Sequence, residues 1–129
     1  MSWNTFFGGE KKQPTLPWIE LNNEAQLEQV LADSITRPQL IFKHSTRCSI
    51  SSMALSRLEK EWNLVGKVDA WYLDLLDYRG ISNAIATKFG VVHESPQAIL
   101  IRNGKVTHVS SHSGISVRAI AEAIDLSSG

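Results

Sequence analysis

The chain contains one cysteine, Cys48, and the residues around it indicate a reactive thiol. An apolar strand candidate ends at Lys43, a polar stretch that includes Arg47 follows, and a predicted helix begins directly after the thiol. A thiol at a helix N-terminus lies at the positive end of the peptide dipole, which stabilises the thiolate. Because the thiolate is the form that attacks disulfides, this placement predicts redox chemistry at Cys48. The stripe that predicts the helix is formed by Ile50, Ala54, Leu58, Trp62 and Val65.

Two neighbours of Cys48 are expected to assist this chemistry. Arg47 places a fixed cation beside the thiol, and a nearby cation favours the charged thiolate. Ser51 lies one helical turn further on, so its hydroxyl is predicted to donate a hydrogen bond to the thiolate. Ser51 also occupies the place of the second cysteine in a Cys-x-x-Cys pair. An internal disulfide is therefore excluded, and a second molecule must resolve any covalent intermediate.

The sequence around Cys48 also allows other interpretations. A free cysteine can be an inert small hydrophobe, but its polar neighbours favour exposure. A metal site is not expected, since there is no second cysteine and the histidines lack ligand spacing with Cys48. An iron–sulfur cluster shared between subunits, with a small thiol as co-ligand, stays open.

Lys43 is expected to be a solvated strand-end residue, and His44 to satisfy a local hydrogen bond or act as a base. No role is assigned to His93, His108 and His112.

Length and composition limit the classes of function. A chain of 129 residues is long enough for one domain with a substantial core. The 13 basic and 13 acidic residues balance, which argues against nucleic acid or an anionic membrane as a partner. No apolar run is long enough to span a membrane, and the N-terminus lacks the pattern of a signal peptide. With a single cysteine, these features favour a reducing, cytoplasmic location.

Apolar patterns and turn signals predict the elements that position Cys48. Residues 1–17 are expected to form a flexible leader, and residues 18–129 a single folded domain. The predicted strands lie at 18–21, 40–43, 68–75, 98–101 and 106–109. The predicted helices run from Asn22 or Asn23 to about Ile35, from Cys48 to about Asn63, and over 81–89 and 117–124.

This order of elements predicts an α/β fold with a mixed sheet and helices on both faces. Strands that alternate with helices are typical of parallel pairing, and Asn103-Gly104 predicts a tight antiparallel hairpin. Cys48 would then lie at the carboxyl end of a central strand, where open α/β sheets bind their ligands. Gly114 and Ser116 are expected to form a turn and a cap for the last helix. Alternatively, Gly114 offers backbone N–H groups to a substrate carboxylate.

Residues 18–126 resemble the thioredoxin fold in three features. These are the strand–cysteine–helix unit, the Ser95-Pro96 pair just before a later strand, and the terminal hairpin followed by a helix. More narrowly, segments 42–51 and 94–97 are similar to the YtxJ-like monothiol bacilliredoxins of the bacillithiol system. Their reactive stretch is of the Thr-Cys-Pro-Ile-Ser kind, which Cys48, Ile50 and Ser51 match. Two positions depart from it: Ser49 replaces the proline, and Arg47 separates Thr46 from the cysteine.

The resemblance implies reduction of mixed disulfides between proteins and a small cytoplasmic thiol. The expected partners are S-thiolated client proteins, a bacillithiol-like low-molecular-weight thiol as co-substrate, and a reductase, with no bound cofactor. In thioredoxin-like proteins the corresponding proline is cis and faces the cysteine, so Ser95 and Pro96, together with Thr46, are expected to bind the substrate. The alternative is a non-enzymatic binding module or redox sensor in which Cys48 is only a passive site of thiolation.

Overall fold

The computed structural model describes residues 16–128, together with side chains up to residue 126. Residues 1–15 of the predicted leader lie outside this part of the chain. Leu16 is already buried in the core, so packing of the domain begins no later than this residue. The elements in chain order are β1 (Ile19–Glu20), α1 (Gln26–Asp33), β2 (Gln39–His44), α2 (Ser49–Glu61), β3 (Asp69–Asp74), α3 (Arg79–Phe89), β4 (Gln97–Arg102), β5 (Lys105–Ser111), a 3-10 turn (His112–Gly114) and α4 (Val117–Ser128).

The five strands form one mixed sheet in the order β1-β3-β2-β4-β5. β1 and β2 both pair in parallel with β3, whereas β4 pairs antiparallel with β2 and with β5. All six residues of β2 are buried, because a strand lies on each side of it and helices cover both faces. The mixed α/β architecture predicted from the sequence is therefore confirmed, and the Cys48 turn follows a central strand.

The sheet divides the core into two clusters, one on each face. On the face covered by α2 and α4, Leu40 and Phe42 of β2 pack in one cluster. On the face covered by α1 and α3, Ile41 packs in the other. Successive strand residues point to opposite faces, so Lys43 lies on the α1/α3 face and His44 on the α2/α4 face. This alternation separates two polar side chains that are adjacent in the sequence.

Part of the predicted apolar stripes is wrong. Helix α1 ends at Asp33, and Ile35 beyond it is 60% exposed. In α2, Ile50 is 50% exposed, and Val65 lies after the end of the helix. The helix and the burial of Ala54, Leu58 and Trp62 were predicted correctly, but the first turn was not, because Ser51 faces the sheet there. The buried residues of α2 are Ser51, Ala54 and Leu58.

The predicted turns are confirmed. Asn103 and Gly104 have φ angles of 55° and 76°, as a two-residue hairpin turn of type I′ requires. Gly90 ends α3 with a φ angle of 66°, in the left-handed conformation that glycine adopts without steric cost. The hairpin places β5 beside β4, and β4 begins directly after Pro96. The hairpin turn thus fixes the strands on one side of the candidate site.

Candidate redox site

Cys48 is the N-cap residue of α2. Its backbone is extended, with φ −111° and ψ 122°, and the helix begins at the next residue. The Cys48 carbonyl accepts the N–H of Ser52 at 3.0 Å, and the Cys48 N–H donates to the Ser45 carbonyl at 3.1 Å. The side chain is half-buried. The thiol therefore lies at the positive end of a 13-residue helix, as the sequence predicted, and remains open to an incoming disulfide.

Thr46 and Arg47 occupy the exposed turn between β2 and Cys48. Arg47 directly precedes the thiol, but its side chain lies in solvent. Water and salt screen an exposed cation strongly, so Arg47 has less effect on the thiolate than a buried charge would have. Thr46 is accessible to an approaching substrate, which its predicted binding role requires.

The Ser51 hydroxyl has partners other than the one predicted. Ser51 is fully buried, and its Oγ accepts the backbone N–H of Ser45 at 3.0 Å. The same Oγ lies 2.7 Å from Nδ1 of His44. We expected a bond to the Cys48 thiolate, but the hydroxyl contacts the end of β2, because this side of α2 faces the sheet. Ser51 thus closes the turn that carries Cys48.

His44 is a buried residue, only 4% exposed, beneath this turn. Its ring stacks on Phe42, with a centroid separation of 5.9 Å. Burial lowers the pKa of His44, and the carboxylates of Asp74 and Glu59 oppose this shift. A neutral ring with its proton on Nε2 accepts the Ser51 O–H at Nδ1. His44 therefore satisfies a local hydrogen bond, as one of its two predicted roles required, and this ring nitrogen faces the serine.

The Ser95–Pro96 peptide bond is cis, as predicted from the resemblance. Pro96 directly precedes Gln97, which is the partner of Lys43 in the β2–β4 ladder. The Cys48 turn leaves β2 at His44, so the two segments meet at the same edge of the sheet. The carbonyl of Pro96 accepts the N–H of His112 at 3.2 Å, which ties the proline to the end of β5.

Lys43 and His93 form a contact that the sequence analysis missed. Lys43 was expected to be solvated, but it is fully buried, and its Nζ lies 2.8 Å from Nδ1 of His93. Burial lowers the pKa of Lys43 to about 8, and Glu94 opposes this shift. The sequence did contain a signal for this burial. Ile41, two positions earlier on the same side of β2, faces the core, and the strand has no exposed side. The partner lies 50 positions away in the sequence, and nothing in the local pattern indicates it.

Gly114 lies in the 3-10 turn that precedes α4. Arg57 of α2 donates to the carbonyls of His112 and Ile115, at 3.2 and 3.0 Å, and so ties this turn to the Cys48 helix. Ser116 caps α4 by accepting the N–H of Ala119 at 3.0 Å, as predicted. A Cβ atom at Gly114 would meet nothing within 4 Å. The contacts therefore match the predicted turn and cap, and carboxylate binding at Gly114 stays a prediction.

Among residues 16–128, no group of three or more His, Cys, Asp or Glu side chains could hold a metal ion. In the same part of the chain, no helix has the length and apolar character needed to cross a bilayer.

Comparisons with known proteins agree with this geometry. The family described as monothiol bacilliredoxin BrxC matches residues 19–120. A solved structure described as a candidate oxidoreductase with a thioredoxin fold is 34% identical, with a TM-score of 0.71 over 81% of this chain and 91% of that chain. Thioredoxin from Malassezia sympodialis is 19% identical, with a TM-score of 0.66 over 94% and 99% of the two chains. Thioredoxin from Fasciola hepatica is also 19% identical, with a TM-score of 0.63 over 83% and 96%. At this identity, the two thioredoxins show the fold alone.

Proposed function

The chain belongs to the monothiol bacilliredoxin family of thioredoxin-fold thiol oxidoreductases, and we propose that it reduces mixed disulfides between proteins and a bacillithiol-like thiol. One observation carries the proposal: a single, half-buried cysteine caps α2, and a buried serine fills the place of a resolving cysteine. A thiol so placed can attack a disulfide, but residues 48–51 offer no second sulfur to close a ring. The proposed setting is the reducing cytoplasm, where small thiols are abundant.

The first step is attack of the Cys48 thiolate on the small-thiol sulfur of the mixed disulfide. A bond forms between Cys48 Sγ and the small thiol, while the bond between that sulfur and the client cysteine breaks. The client leaves as a thiolate and takes a proton from water. The exchange involves no net oxidation or reduction. The disulfide bond moves from the client to Cys48, which now carries the small thiol as a mixed disulfide.

The second step regenerates the protein with an outside thiol. A free small-thiol thiolate attacks the small-thiol sulfur held on Cys48 and releases the symmetric small-molecule disulfide. Cys48 leaves as the thiolate, ready for another cycle. A separate reductase then returns the small-molecule disulfide to two thiols. Ser51 cannot replace the outside thiol, because an oxygen atom forms no disulfide.

Substrate binding is proposed for the two segments that meet beside Cys48. The backbone of Ser95, set by the cis bond to Pro96, is available to pair with an extended peptide that carries the disulfide. Thr46 lies in the exposed turn that directly precedes Arg47 and the thiol. Gly114, in the turn tied to α2, is the candidate for contact with a carboxylate of the small thiol.

The nucleophile is tested with Cys48→Ser and a client protein that carries one small-thiol adduct. Client reduction should fall to background while far-ultraviolet circular dichroism is unchanged. Ser56→Ala is the matched control, since it removes an exposed hydroxyl from the same helix and should keep full turnover. Retained turnover in Cys48→Ser would overturn the proposal. Transfer of one adduct to Cys48 without repeated client reduction would instead indicate a passive thiolation site or redox sensor.

A further inference from the structure

Lys43 is a buried ionisable group that the thiol chemistry leaves unused. It lies on the α1/α3 face of the sheet, opposite to the α2/α4 face that carries His44. The Lys43 ammonium has three N–H donors and no acceptor, so at neutral pH the 2.8 Å bond runs from Nζ to Nδ1 of His93. His93 must therefore be neutral, with its ring proton on Nε2. Ser82 Oγ is a more distant neighbour of the same nitrogen, at 3.4 Å.

His93 belongs to the segment that carries the cis-proline. We name residues 91–96, between α3 and β4, the cis-proline loop. The loop is also held by Gln97, which donates to the Val92 carbonyl at 3.0 Å, and Glu94 Oε1 lies 3.6 Å from His112 Nδ1. These contacts tie it to β4 and to the end of β5. The Lys43 side chain ties it to β2, the strand from which the Cys48 turn departs.

We propose that Lys43 is a positioning residue whose hydrogen bond to His93 sets the cis-proline loop relative to Cys48 and so determines the affinity for disulfide substrates. This inference rests on the proposed function, because it assigns substrate contact to Ser95 and Pro96. The Lys43 side chain lies on the α1/α3 face of the sheet, opposite to the face covered by the Cys48 helix. Its loss therefore impairs docking of the client and leaves the intrinsic reactivity of the thiol unchanged.

The same contact gives docking a pH dependence. Protonation of His93 places a hydrogen on Nδ1, which then faces the Lys43 ammonium and can no longer accept from it. Burial and the positive charges of Lys43 and Arg79 lower the pKa of His93, while Glu94 opposes the shift. The bond is therefore intact at neutral pH and is lost only in acid, below the usual pKa of 6.5. Loss of a proton from Lys43 in alkali keeps an N–H donor, so the bond survives there.

Three variants separate the hydrogen bond from packing. Lys43→Met keeps an unbranched chain of similar length and removes the donor. His93→Leu removes the acceptor at an exposed residue, so it tests the same bond without change to the core. His93→Gln keeps an acceptor oxygen that does not titrate. Lys67→Met, at an exposed lysine, is the matched control.

The measurements are KM and kcat for the mixed-disulfide client, the rate of Cys48 alkylation by iodoacetamide, and hydrogen exchange of loop amides. Lys43→Met and His93→Leu should each raise KM about five- to tenfold, the effect of one lost buried hydrogen bond. Alkylation should stay at the wild-type rate, and loop amides should exchange faster. His93→Gln should keep a KM near the wild-type value and lose the rise in KM that the wild type shows in acid.

Several results would overturn the inference. An unchanged KM in Lys43→Met and His93→Leu removes the positioning role, as does a parallel loss of alkylation and affinity. A His93→Gln variant as impaired as His93→Leu shows that the hydrogen bond is not what matters. If the wild type itself does not reduce the client, the proposed function is wrong. Hydrogen exchange of the loop amides then tests the positioning role of Lys43 by itself. Unchanged exchange in Lys43→Met overturns the inference, and faster exchange supports it.

Discussion

Two adjacent residues of β2 serve the two halves of the redox site from opposite faces of the sheet. His44 contacts Ser51 beneath the Cys48 turn, and Lys43 contacts His93 in the cis-proline loop. Both members of the first pair are buried, whereas His93 is exposed. The support of the nucleophile is thus closed to solvent, while the support of the substrate loop is open to it. A change of pH in solution should therefore affect substrate docking before it affects the contacts that support Cys48.

The charges around the two pairs also differ in sign. Acidic groups, Asp74 and Glu59, raise the proton affinity of His44 against the effect of burial. At His93, burial acts together with the cations of Lys43 and Arg79. Burial is the main cause of the lowered pKa at both histidines, and only the effect of the neighbouring charges differs. Removing Asp74 should thus shift the pKa of His44 downwards, whereas removing Arg79 should shift that of His93 upwards.

We call His44 and Ser51 the closed pair, and the largest effect is expected there. Ser51→Ala removes both contacts of the hydroxyl and leaves the Ser45 N–H and His44 Nδ1 without their partner. Unfolding in urea should show a loss of about 2–3 kcal/mol, the cost of two buried polar groups without hydrogen bonds. Alkylation of Cys48 should slow about two- to fivefold, since a frayed first turn weakens the helix-dipole stabilisation of the thiolate.

Ser52→Ala is the control, because Ser52 is an exposed residue of the same turn. Its free energy of unfolding should change by less than about 0.5 kcal/mol. If Ser51→Ala behaves like Ser52→Ala, the closed pair is not a structural support, and the contrast between the two faces disappears.

The sequence predicted the elements of this site better than its polar contacts. Cys48 at a helix N-terminus, the turn at Asn103-Gly104 and the cis-proline at Pro96 follow from local residue types or from family resemblance. The burial of Lys43 and Ser51 does not, because hydropathy assigns polar residues to the surface. Their partners lie 50 and 7 positions away, so only the packed sheet shows what satisfies them. The error at Ile50 has the same origin, since the polar Ser51 is the buried residue in the first turn of α2.

The next prediction concerns Lys43 and His93, the open pair, where an effect of intermediate size is expected. The lowered pKa of Lys43, about 8 in the folded protein, means that the unfolded chain binds the proton more tightly. Between this pH and the usual pKa of 10.5, the unfolded state carries more protons, so stability rises with pH. At pH 7 the buried ammonium costs stability, and Lys43→Met should be more stable than the wild type by about 1–3 kcal/mol.

The measurement is the free energy of unfolding in urea at pH 7 and pH 10 for the two proteins. The difference between them should shrink at the higher pH, while Lys67→Met shows no such change. A Lys43→Met variant that is less stable than the wild type at pH 7 would contradict the assignment. Greater stability together with a raised KM would separate positioning of the loop from support of the fold.

The smallest effect is expected at Arg47, which acts through solvent and contrasts with both buried pairs. Arg47→Glu replaces a cation beside the thiolate with an anion, which disfavours the charged sulfur. Alkylation of Cys48 at neutral pH and low salt should slow about two- to fivefold, the size of an exposed charge interaction. Arg47→Gln should fall between the two, because it removes the charge without reversal. In 1 M salt the three rates should converge, since the screening length falls to about 3 Å. Persistence of the difference in high salt would show that Arg47 acts through direct contact. Equal rates at low salt would leave the N-terminus of α2 as the source of thiolate stabilisation.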